Sequence, residues 1–161
     1  MDIGAVAVIF NRKNEVLITQ RQDLRNWVFP GGGVKKGESI EQAVIREVKE
    51  ETGAKIKIER LVATYVVDHL LKRTVLYIFK ASYIKGGIKR QKGEVLSIRW
   101  ATQSQAKELM GKRQLWRLKA ALSFRQGIKL EVEKKLPISY WRIPIYWWRR
   151  GLGKKLRMVR V

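Results

Sequence analysis

The sequence predicts an α+β fold in which a mixed β-sheet is flanked by helices. Most of its apolar residues lie in strand-like segments, either alternating with polar residues or in short continuous runs, and only three segments have helical spacing. The strands do not alternate with helices in a regular βαβ rhythm, which favours a mixed sheet over an all-parallel one. A chain of 161 residues is long enough for one domain that buries roughly 68–70% of the surface its unfolded chain exposes.

The N-terminal part of the chain predicts strands. Residues 3–10 form a nearly continuous apolar run, which is typical of a strand covered on both faces. A polar turn joins them to a second strand at 15–20, so the pair predicts a hairpin. A short extended piece at 27–29 precedes Pro30, because the residue before a proline avoids helical backbone. Residues 30–33 predict a glycine turn, since glycine adopts positive φ at little cost.

A helix is predicted over residues 39–52. Ser39 and Gln42, three residues on, form a capping box at its start. Gly53 stands where a left-handed C-cap belongs. The remaining elements follow from alternation, helical spacing and cap residues: strands at 55–67, 74–84 and 95–100, a helix from Thr102 or Ser104 to 110, a helix at 112–125 that Gly127 ends, and a strand at 128–132.

The composition restricts the environment in which the chain acts. Cysteine is absent, so disulfides and thiolate metal sites are excluded. The first residues have no basic region ahead of their apolar run and predict a strand instead of a signal peptide. No apolar segment approaches the ~18 residues that a membrane span needs, so we expect no transmembrane segment and a cytoplasmic protein.

The chain is strongly basic, and its charge is uneven. It carries 35 Lys and Arg against 14 Asp and Glu, a formal net charge of +21. Residues 111–161 hold 15 of those cations but only two of the acids. Such a field attracts polyanions, whether nucleotides, nucleic acid or an anionic membrane surface.

Three acids cluster within this basic background. At about 100° per residue, Glu47, Glu50 and Glu51 fall in one sector of the predicted helix. That sector borders the buried stripe, because Ile40 and Val44 lie at nearly the same azimuth as Glu47. Carboxylates at the rim of a core are costly unless a cation neutralises them, and Mg²⁺ prefers oxygen ligands. We therefore expect a metal site here, in preference to a solvated acidic face.

Residues 32–54 resemble the signature of the Nudix hydrolases, in particular the MutT-like group. The likeness extends upstream to 27–33 and downstream to Glu94 and Trp100, and covers roughly residues 3–110. The single departure is Ala54, which is small where a larger aliphatic residue is usual. The matching positions are Gly32, Glu38, Arg46, Glu47, Val48, Glu50, Glu51 and Gly53.

The resemblance implies an α/β/α sandwich that hydrolyses a nucleoside diphosphate linked to another group, with Mg²⁺ or Mn²⁺ as cofactor. It implies that Glu47, Glu50 and Glu51 hold the metal, together with the main chain of Gly32. Such ions neutralise the pyrophosphate, orient it and acidify the attacking water. The resemblance also implies that Glu38 and Arg46 pair, to brace the loop against the helix.

The general base has two candidates. Glu94 is the first, because the family often supplies a further acid from this region; it is otherwise another metal ligand or an ordinary exposed carboxylate. Glu50 is the second. Arg21, just after the second strand, resembles a position that contacts substrate phosphates, although an arginine at a strand end is as often simply solvated.

The sequence lacks residues that are typical of two substrate classes within the family. Leu70 stands where ADP-ribose hydrolases usually have Pro, and Leu71 where many diadenosine polyphosphate hydrolases have Tyr. The remaining resemblance is to enzymes that act on nucleoside triphosphates, including oxidised ones. The alternatives are hydrolysis of an RNA 5′ end or of a dinucleoside polyphosphate, or, in another class, a non-catalytic nucleic-acid-binding module.

The C-terminal segment predicts a boundary between a catalytic domain at 1–127 and a basic extension at 128–161 that packs on it or is appended to it. Tyr and Trp interleave with Arg and Lys over residues 137–161. Aromatic rings stack on bases while cations contact phosphates, so RNA is one possible partner. An anionic membrane surface is another. The third interpretation, which we rank first, is that the aromatics pack on the domain and the cations stay solvated.

Overall fold

The chain folds as one mixed β-sheet with helices on both faces, which confirms the predicted fold class. The computed structural model describes residues 2–68, 73–123, 128–134 and 155–157. Within these ranges it contains the strands β1 (Asp2–Phe10), β2 (Val16–Arg21), β3 (Trp27–Val28), β4 (Gly31–Gly33), β5 (Lys55–Asp68), β6 (Arg73–Lys85), β7 (Val95–Ala101), β8 (Ile128–Lys134) and β9 (Lys155–Arg157), and the helices α1 (Ile40–Thr52), α2 (Gln103–Leu109) and α3 (Lys112–Leu122).

The sheet is built around β1. Its strand order is β3-β2-β1-β6-β5-β8-β9, with β4 paired to β1 and β7 paired to β2. β1 runs parallel to β6 in continuous register from Asp2↔Thr74 to Phe10↔Ser82. β5 and β8 are also parallel, and the other pairs are antiparallel. Within each parallel pair, the chain between the two strands has to return from one end of the sheet to the other.

The apolar run of β1 serves two cores. Successive side chains of a strand point to opposite faces. Val6 and Val8 join the core beneath α2 and α3, whereas Ala7 and Ile9 join the core beneath α1. Both sides of the strand are covered, which explains why its sequence lacks alternation.

The start and end of α1 are determined by local hydrogen bonds. The Ser39 side chain accepts from the N–H of Gln42, and the Gln42 side chain accepts from the N–H of Ser39. At the other end, Gly53 has φ 72 and donates its N–H to the carbonyl of Lys49. The predicted helix at 39–52 is therefore found at 40–52, with Ser39 as its cap.

The glycines after Pro30 form a short strand, where the sequence predicted a turn. β4 pairs antiparallel with β1, with Gly31 opposite Val6 and Gly33 opposite Gly4. The two backbones are so close that a Cβ on Gly31, which has φ 153, would lie 2.3 Å from the carbonyl oxygen of Ala5. Glycine is needed here for close approach as well as for its backbone angle.

The C-terminal elements extend the sheet beyond β5. α3 ends at Leu122, earlier than predicted, and the Arg60 guanidinium donates to the carbonyls of Ala121 and Ser123 at this end. β8 then pairs with β5, and β9 pairs with β8. The predicted boundary after residue 127 stays a prediction, and the aromatic and basic segment at 137–161 lies outside the described residues except for β9.

None of the helices in the described part of the chain is long and apolar enough to cross a lipid bilayer.

Truncating the core should cost far more stability than truncating the surface. Ile9 is 0% exposed beneath α1, whereas Ile84 is 57% exposed at the end of β6. Ile9→Ala should lower the free energy of unfolding by about 2–5 kcal/mol, because it removes packed methyl groups and leaves a cavity. Ile84→Ala, the matched control, should change it by no more than about 0.5 kcal/mol. Urea unfolding checks both; equal losses would contradict the two-core arrangement.

Candidate active site

The acidic sector of α1 faces the glycine strand β4. Glu47 and Glu51 lie at the packed side of the helix, and the Glu47 side chain is 16% exposed. Glu50, on the outer side of the same sector, is 44% exposed. The structure therefore brings two of the three acids against the sheet and leaves the third in contact with solvent.

Glu51 is the most desolvated of the three carboxyl groups. Its Oε2 accepts a hydrogen bond from the N–H of Gly31 at 3.1 Å, which is how β4 contacts the helix. Burial raises the Glu51 pKa to about 8. The nearby charges of Glu47 and Glu94 raise this pKa further, while the Gly31 hydrogen bond and Arg21 oppose the increase.

Glu47 occupies space that only glycine leaves open. A Cβ built on Gly32 would lie 1.7 Å from the Cδ atom of Glu47, so this carboxylate rests directly on the β4 backbone. By contrast, a Cβ on Gly33 would meet no atom within 4 Å. Burial raises the Glu47 pKa, and the adjacent Arg46 counteracts that increase.

Arg46 joins the helix, the glycine strand and the loop between them. Its Nε and Nη2 donate to the two oxygens of Glu38 at 3.0 and 2.6 Å, a bidentate pair. Nη2 also donates to the carbonyl of Gly33 at 2.9 Å. Nη1 donates to Glu47 at 2.7 Å and to Glu50 at 3.1 Å. One guanidinium thus engages three carboxylates and one backbone carbonyl.

Glu38 is the partner that holds Arg46 in place. The Arg46 hydrogen bonds, and secondarily the N–H of Lys35, lower the Glu38 pKa to about 2. In return Glu38, and then Glu47, raise the pKa of Arg46. Both groups are therefore charged throughout the physiological range, as a brace requires.

A second group of charged residues borders Glu51 from the sheet side. Arg21 forms a bidentate pair with Asp23, with Nε to Oδ1 at 2.9 Å and Nη2 to Oδ2 at 2.6 Å. Asp23 is the main cause of the raised Arg21 pKa, with smaller contributions from Glu51 and Glu94. The backbone carbonyl of Glu94 accepts from the N–H of Gln22 at 2.9 Å, which joins the two loops. The side chain of Glu94 is exposed.

The sequence did not predict two groups that hold site residues in place. Asp23 fixes the Arg21 guanidinium, and its signal was the acid two residues beyond an arginine at a strand end. The N–H of Gly31 fixes Glu51; it is a backbone group, so no residue type marks it in the sequence.

The donor set suits a hard divalent cation. Within residues 2–68 and 73–123, no three acidic, imidazole or thiol groups converge tightly enough to enclose an ion, and Arg46 engages two of the three helix acids. The chemistry nevertheless fits. Glu51 is a half-buried, desolvated carboxyl with no cationic hydrogen-bond partner among the described residues, and Gly32 leaves room for the Glu47 carboxylate. Glu47, Glu50, Glu51 and the Gly32 carbonyl are the groups that would hold Mg²⁺ or Mn²⁺.

Comparison with known proteins gives one family. A model described as the NUDIX domain matches residues 2–122. The RNA pyrophosphohydrolase of Haemophilus influenzae is 31% identical over 146 residues, which is 88% of this chain and 60% of that protein. A putative 8-oxo-dGTP diphosphatase of Bacillus subtilis is 37% identical over 62 residues, 38% of this chain and 42% of the relative. The chain thus spans less than two thirds of either protein.

A solved structure agrees with these matches. The mutator MutT protein of Bacillus halodurans superposes with a TM-score of 0.70 at 27% identity, covering 82% of this chain and 90% of that one.

Removing the buried carboxyl should stabilise the metal-free protein above about pH 5. The Glu51 pKa rises from 4.5 in the unfolded chain to about 8 in the fold. Between these values the unfolded chain has lost the proton and the folded one keeps it, so stability falls as the pH rises, by at most ~1.4 kcal/mol per pH unit. Glu51→Gln should abolish this slope in urea unfolding with a chelator present.

Glu38→Gln is the matched control, because the fold lowers the pKa of Glu38 whereas it raises the pKa of Glu51. A carboxyl with a folded pKa of about 2 contributes stability above its unfolded value of 4.5 and loses it as the pH falls through about 2. That variant should be less stable than wild type by a constant amount between about pH 5 and 8. Parallel slopes for wild type and Glu51→Gln would contradict the burial of Glu51.

Proposed function

Because the chain belongs to the Nudix hydrolase family, as its sequence predicted, we propose that it hydrolyses a pyrophosphate bond in a nucleoside diphosphate-linked substrate, with Mg²⁺ or Mn²⁺ as cofactor. The observation that carries the proposal is the acidic face of α1 against β4. Glu47 and Glu51 are packed on glycine backbone, and Arg46 and Glu38 hold the supporting loop.

Glu47, Glu50, Glu51 and the Gly32 carbonyl are the proposed ligands. When bound there, the ion would neutralise the pyrophosphate charge and lower the pKa of the attacking water. Glu38 and Arg46 remain a brace, because their two hydrogen bonds leave Glu38 no free role at the phosphates.

Glu94 is the proposed general base. Its side chain is exposed, and its charge contributes to the raised pKa values of both Glu51 and Arg21, which supports a position near these two groups. Water adds to one phosphorus as the bond to the bridging oxygen breaks; the leaving phosphate takes the electron pair and Glu94 takes the proton of the water. Glu50 is the alternative, since its carboxylate is also open to solvent although it contacts Arg46.

Arg21 is the proposed phosphate contact. Asp23 holds its guanidinium in a fixed plane beside Glu51 and Glu94, and a side chain that is 24% exposed retains access to a ligand. A pre-oriented guanidinium loses less side-chain entropy when it binds a phosphate.

The preferred substrate class is a nucleoside or deoxynucleoside triphosphate, including an oxidised one, as the resemblance to MutT-like proteins and the B. subtilis relative suggest. A 5′-triphosphorylated RNA end is the second candidate. It is supported by the Haemophilus relative, whose similarity extends over 88% of this chain, and by the net charge of +21.

A substrate panel tests the proposal. Mg²⁺-dependent release of phosphate or pyrophosphate should be seen with at least one of the dNTPs, 8-oxo-dGTP, dinucleoside polyphosphates, ADP-ribose or 5′-triphosphorylated RNA. Glu47→Gln should lower kcat for it by at least about 10²-fold, because a metal ligand is lost. Glu108→Gln, which removes an exposed acid on α2, is the control with retained activity. Full activity in Glu47→Gln would contradict the assignment of this site as the metal-dependent active site.

The same assay identifies the base. Replacing the base should lower kcat by about 10²- to 10⁴-fold without changing the Mg²⁺ dependence, whereas replacing a metal ligand should shift that dependence. We expect the first pattern for Glu94→Gln and the second for Glu50→Gln; the reverse would transfer the role to Glu50.

Neighbouring glycines provide a test of the metal cradle. Gly32→Ala should raise the Mg²⁺ concentration for half-maximal activity by about tenfold or more, because the new Cβ displaces the Glu47 carboxylate. Gly33→Ala in the same strand meets no atom within 4 Å and should leave that concentration unchanged. An Mg²⁺ titration of both variants checks this; identical curves would remove Glu47 and Gly32 from the site.

A further inference from the structure

The loop between β6 and β7 carries a concentrated positive charge. Residues 85–93 contain four cations and no acid, and Lys85, Lys89, Arg90 and Lys92 are all exposed. Residues 85–93 are called the basic loop; the segment comprises Lys85, the last residue of β6, and most of the connection to β7. Nothing in the proposed chemistry at α1 uses it.

The basic loop is attached to the end of α1 that carries Glu51. The N–H of Lys89 donates to the carbonyl of Thr52 at 2.9 Å, and the N–H of Gln91 donates to the carbonyl of Glu51 at 3.2 Å. These carbonyls lack partners within the helix, so the loop caps it. Because the bonds come from backbone N–H groups, they engage none of the loop side chains.

Two glycines allow the loop to come this close. A Cβ on Gly86 would lie 2.5 Å from the carbonyl oxygen of Gly53, and a Cβ on Gly53 would lie 2.5 Å from that of Gly87. The loop backbone is therefore in direct contact with the helix end. The backbone of Lys89 is bonded to Thr52, the residue after the proposed metal ligand Glu51, and the other three cations lie within four residues of Lys89 in the chain.

The charges of the basic loop are uncompensated. Elsewhere in residues 2–68 and 73–123, ion pairs occupy Arg21, Arg46 and Lys80, but none involves a cation of this loop. Arg90 is anchored, because its Nη1 donates to the carbonyl of Leu96 at 3.0 Å. The three lysines have no such bond among the described contacts, so they present full charges to a ligand.

We propose that the basic loop binds the phosphodiester backbone of a 5′-triphosphorylated single-stranded RNA whose triphosphate lies at α1. The inference rests on the function proposed above and favours the RNA 5′ end, the second candidate substrate there, over the free nucleotide. A mononucleotide ends at its own sugar and base, whereas an RNA chain has a further phosphodiester at every nucleotide to place on a rim beside the site. Backbone phosphates are contacted by lysines without sequence preference, which matches a loop that has no aromatic side chain for stacking on bases.

The test neutralises three lysines and leaves the anchor intact. The loop variant is Lys85→Gln, Lys89→Gln and Lys92→Gln together, with Arg90 kept for its bond to Leu96. The control variant is Lys107→Gln, Lys112→Gln and Lys119→Gln, which removes the same charge from exposed positions on α2 and α3, across the sheet from α1. Comparison of the two separates a local site from the general field of the protein.

Two measurements are made on each variant. The first is the ratio of kcat/KM for a short 5′-triphosphorylated RNA to kcat/KM for GTP, which should fall about 10- to 100-fold in the loop variant and stay at the wild-type value in the control. The second is the affinity for the same RNA with a 3′ fluorescent label, measured by anisotropy against salt. The slope of log K against log salt should become shallower by about 2, at about 0.7 per lost phosphate contact.

Anisotropy keeps this inference distinct from the proposed function, because it needs no turnover. Loss of RNA affinity confined to the loop variant supports the basic loop even if every substrate of the panel is inert. Equal losses in the two variants would overturn it, since the general field would then account for binding. It would also be overturned if the loop variant bound RNA normally but lost binding to vesicles containing phosphatidylserine.

Discussion

The arrangement of the site depends on one side chain, the guanidinium of Arg46. Its planar donors reach Glu38, Glu47, Glu50 and the Gly33 carbonyl, and so tie α1, β4 and the intervening loop into one unit. Carboxylates three residues apart on a helix repel one another. Arg46 offsets this repulsion between Glu47 and Glu50, because it donates to both. A lysine could not replace it, because a single ammonium lacks the fork that matches Glu38.

Glu51 is not bonded to Arg46, so it is the one acid of the predicted metal-binding helix that lies outside the brace. Glu38 is stabilised as an anion, with a pKa of about 2, whereas burial raises the pKa of Glu51 to about 8. The fold therefore stabilises the ionised form of Glu38 and destabilises the ionised form of Glu51. Such an unrelieved group is expected where function, rather than stability, has determined the residue, because a cation held there, as proposed, would relieve that cost.

Features set by neighbouring residues were predictable from the sequence, and features set by distant contacts were not. Ser39, Gln42 and Gly53 determine the ends of α1 through local hydrogen bonds, so its bounds were predicted to within a residue. The acidic sector followed from helical periodicity. The strand formed by Gly31 was missed because its extended backbone depends on the approach of Ala5. Likewise, the contact between the basic loop and Glu51 is made by backbone groups far apart in the chain and leaves no pattern of residue types.

The charge distribution would act on a polyanionic substrate in two opposite ways. At a distance, a net charge of +21 attracts a polyphosphate. At contact, the polyphosphate of the proposed substrate would meet Glu47, Glu50, Glu51 and Glu94, more than a quarter of the 14 acids in the whole chain. Lysines at the rim cannot neutralise carboxylates that are packed against β4, because the two sets of charges are separated by the end of α1. On the proposed function, a cation held among the acids would be the condition for productive contact, while the basic residues would raise the rate of encounter and extend the contacts of the ligand beyond the scissile bond.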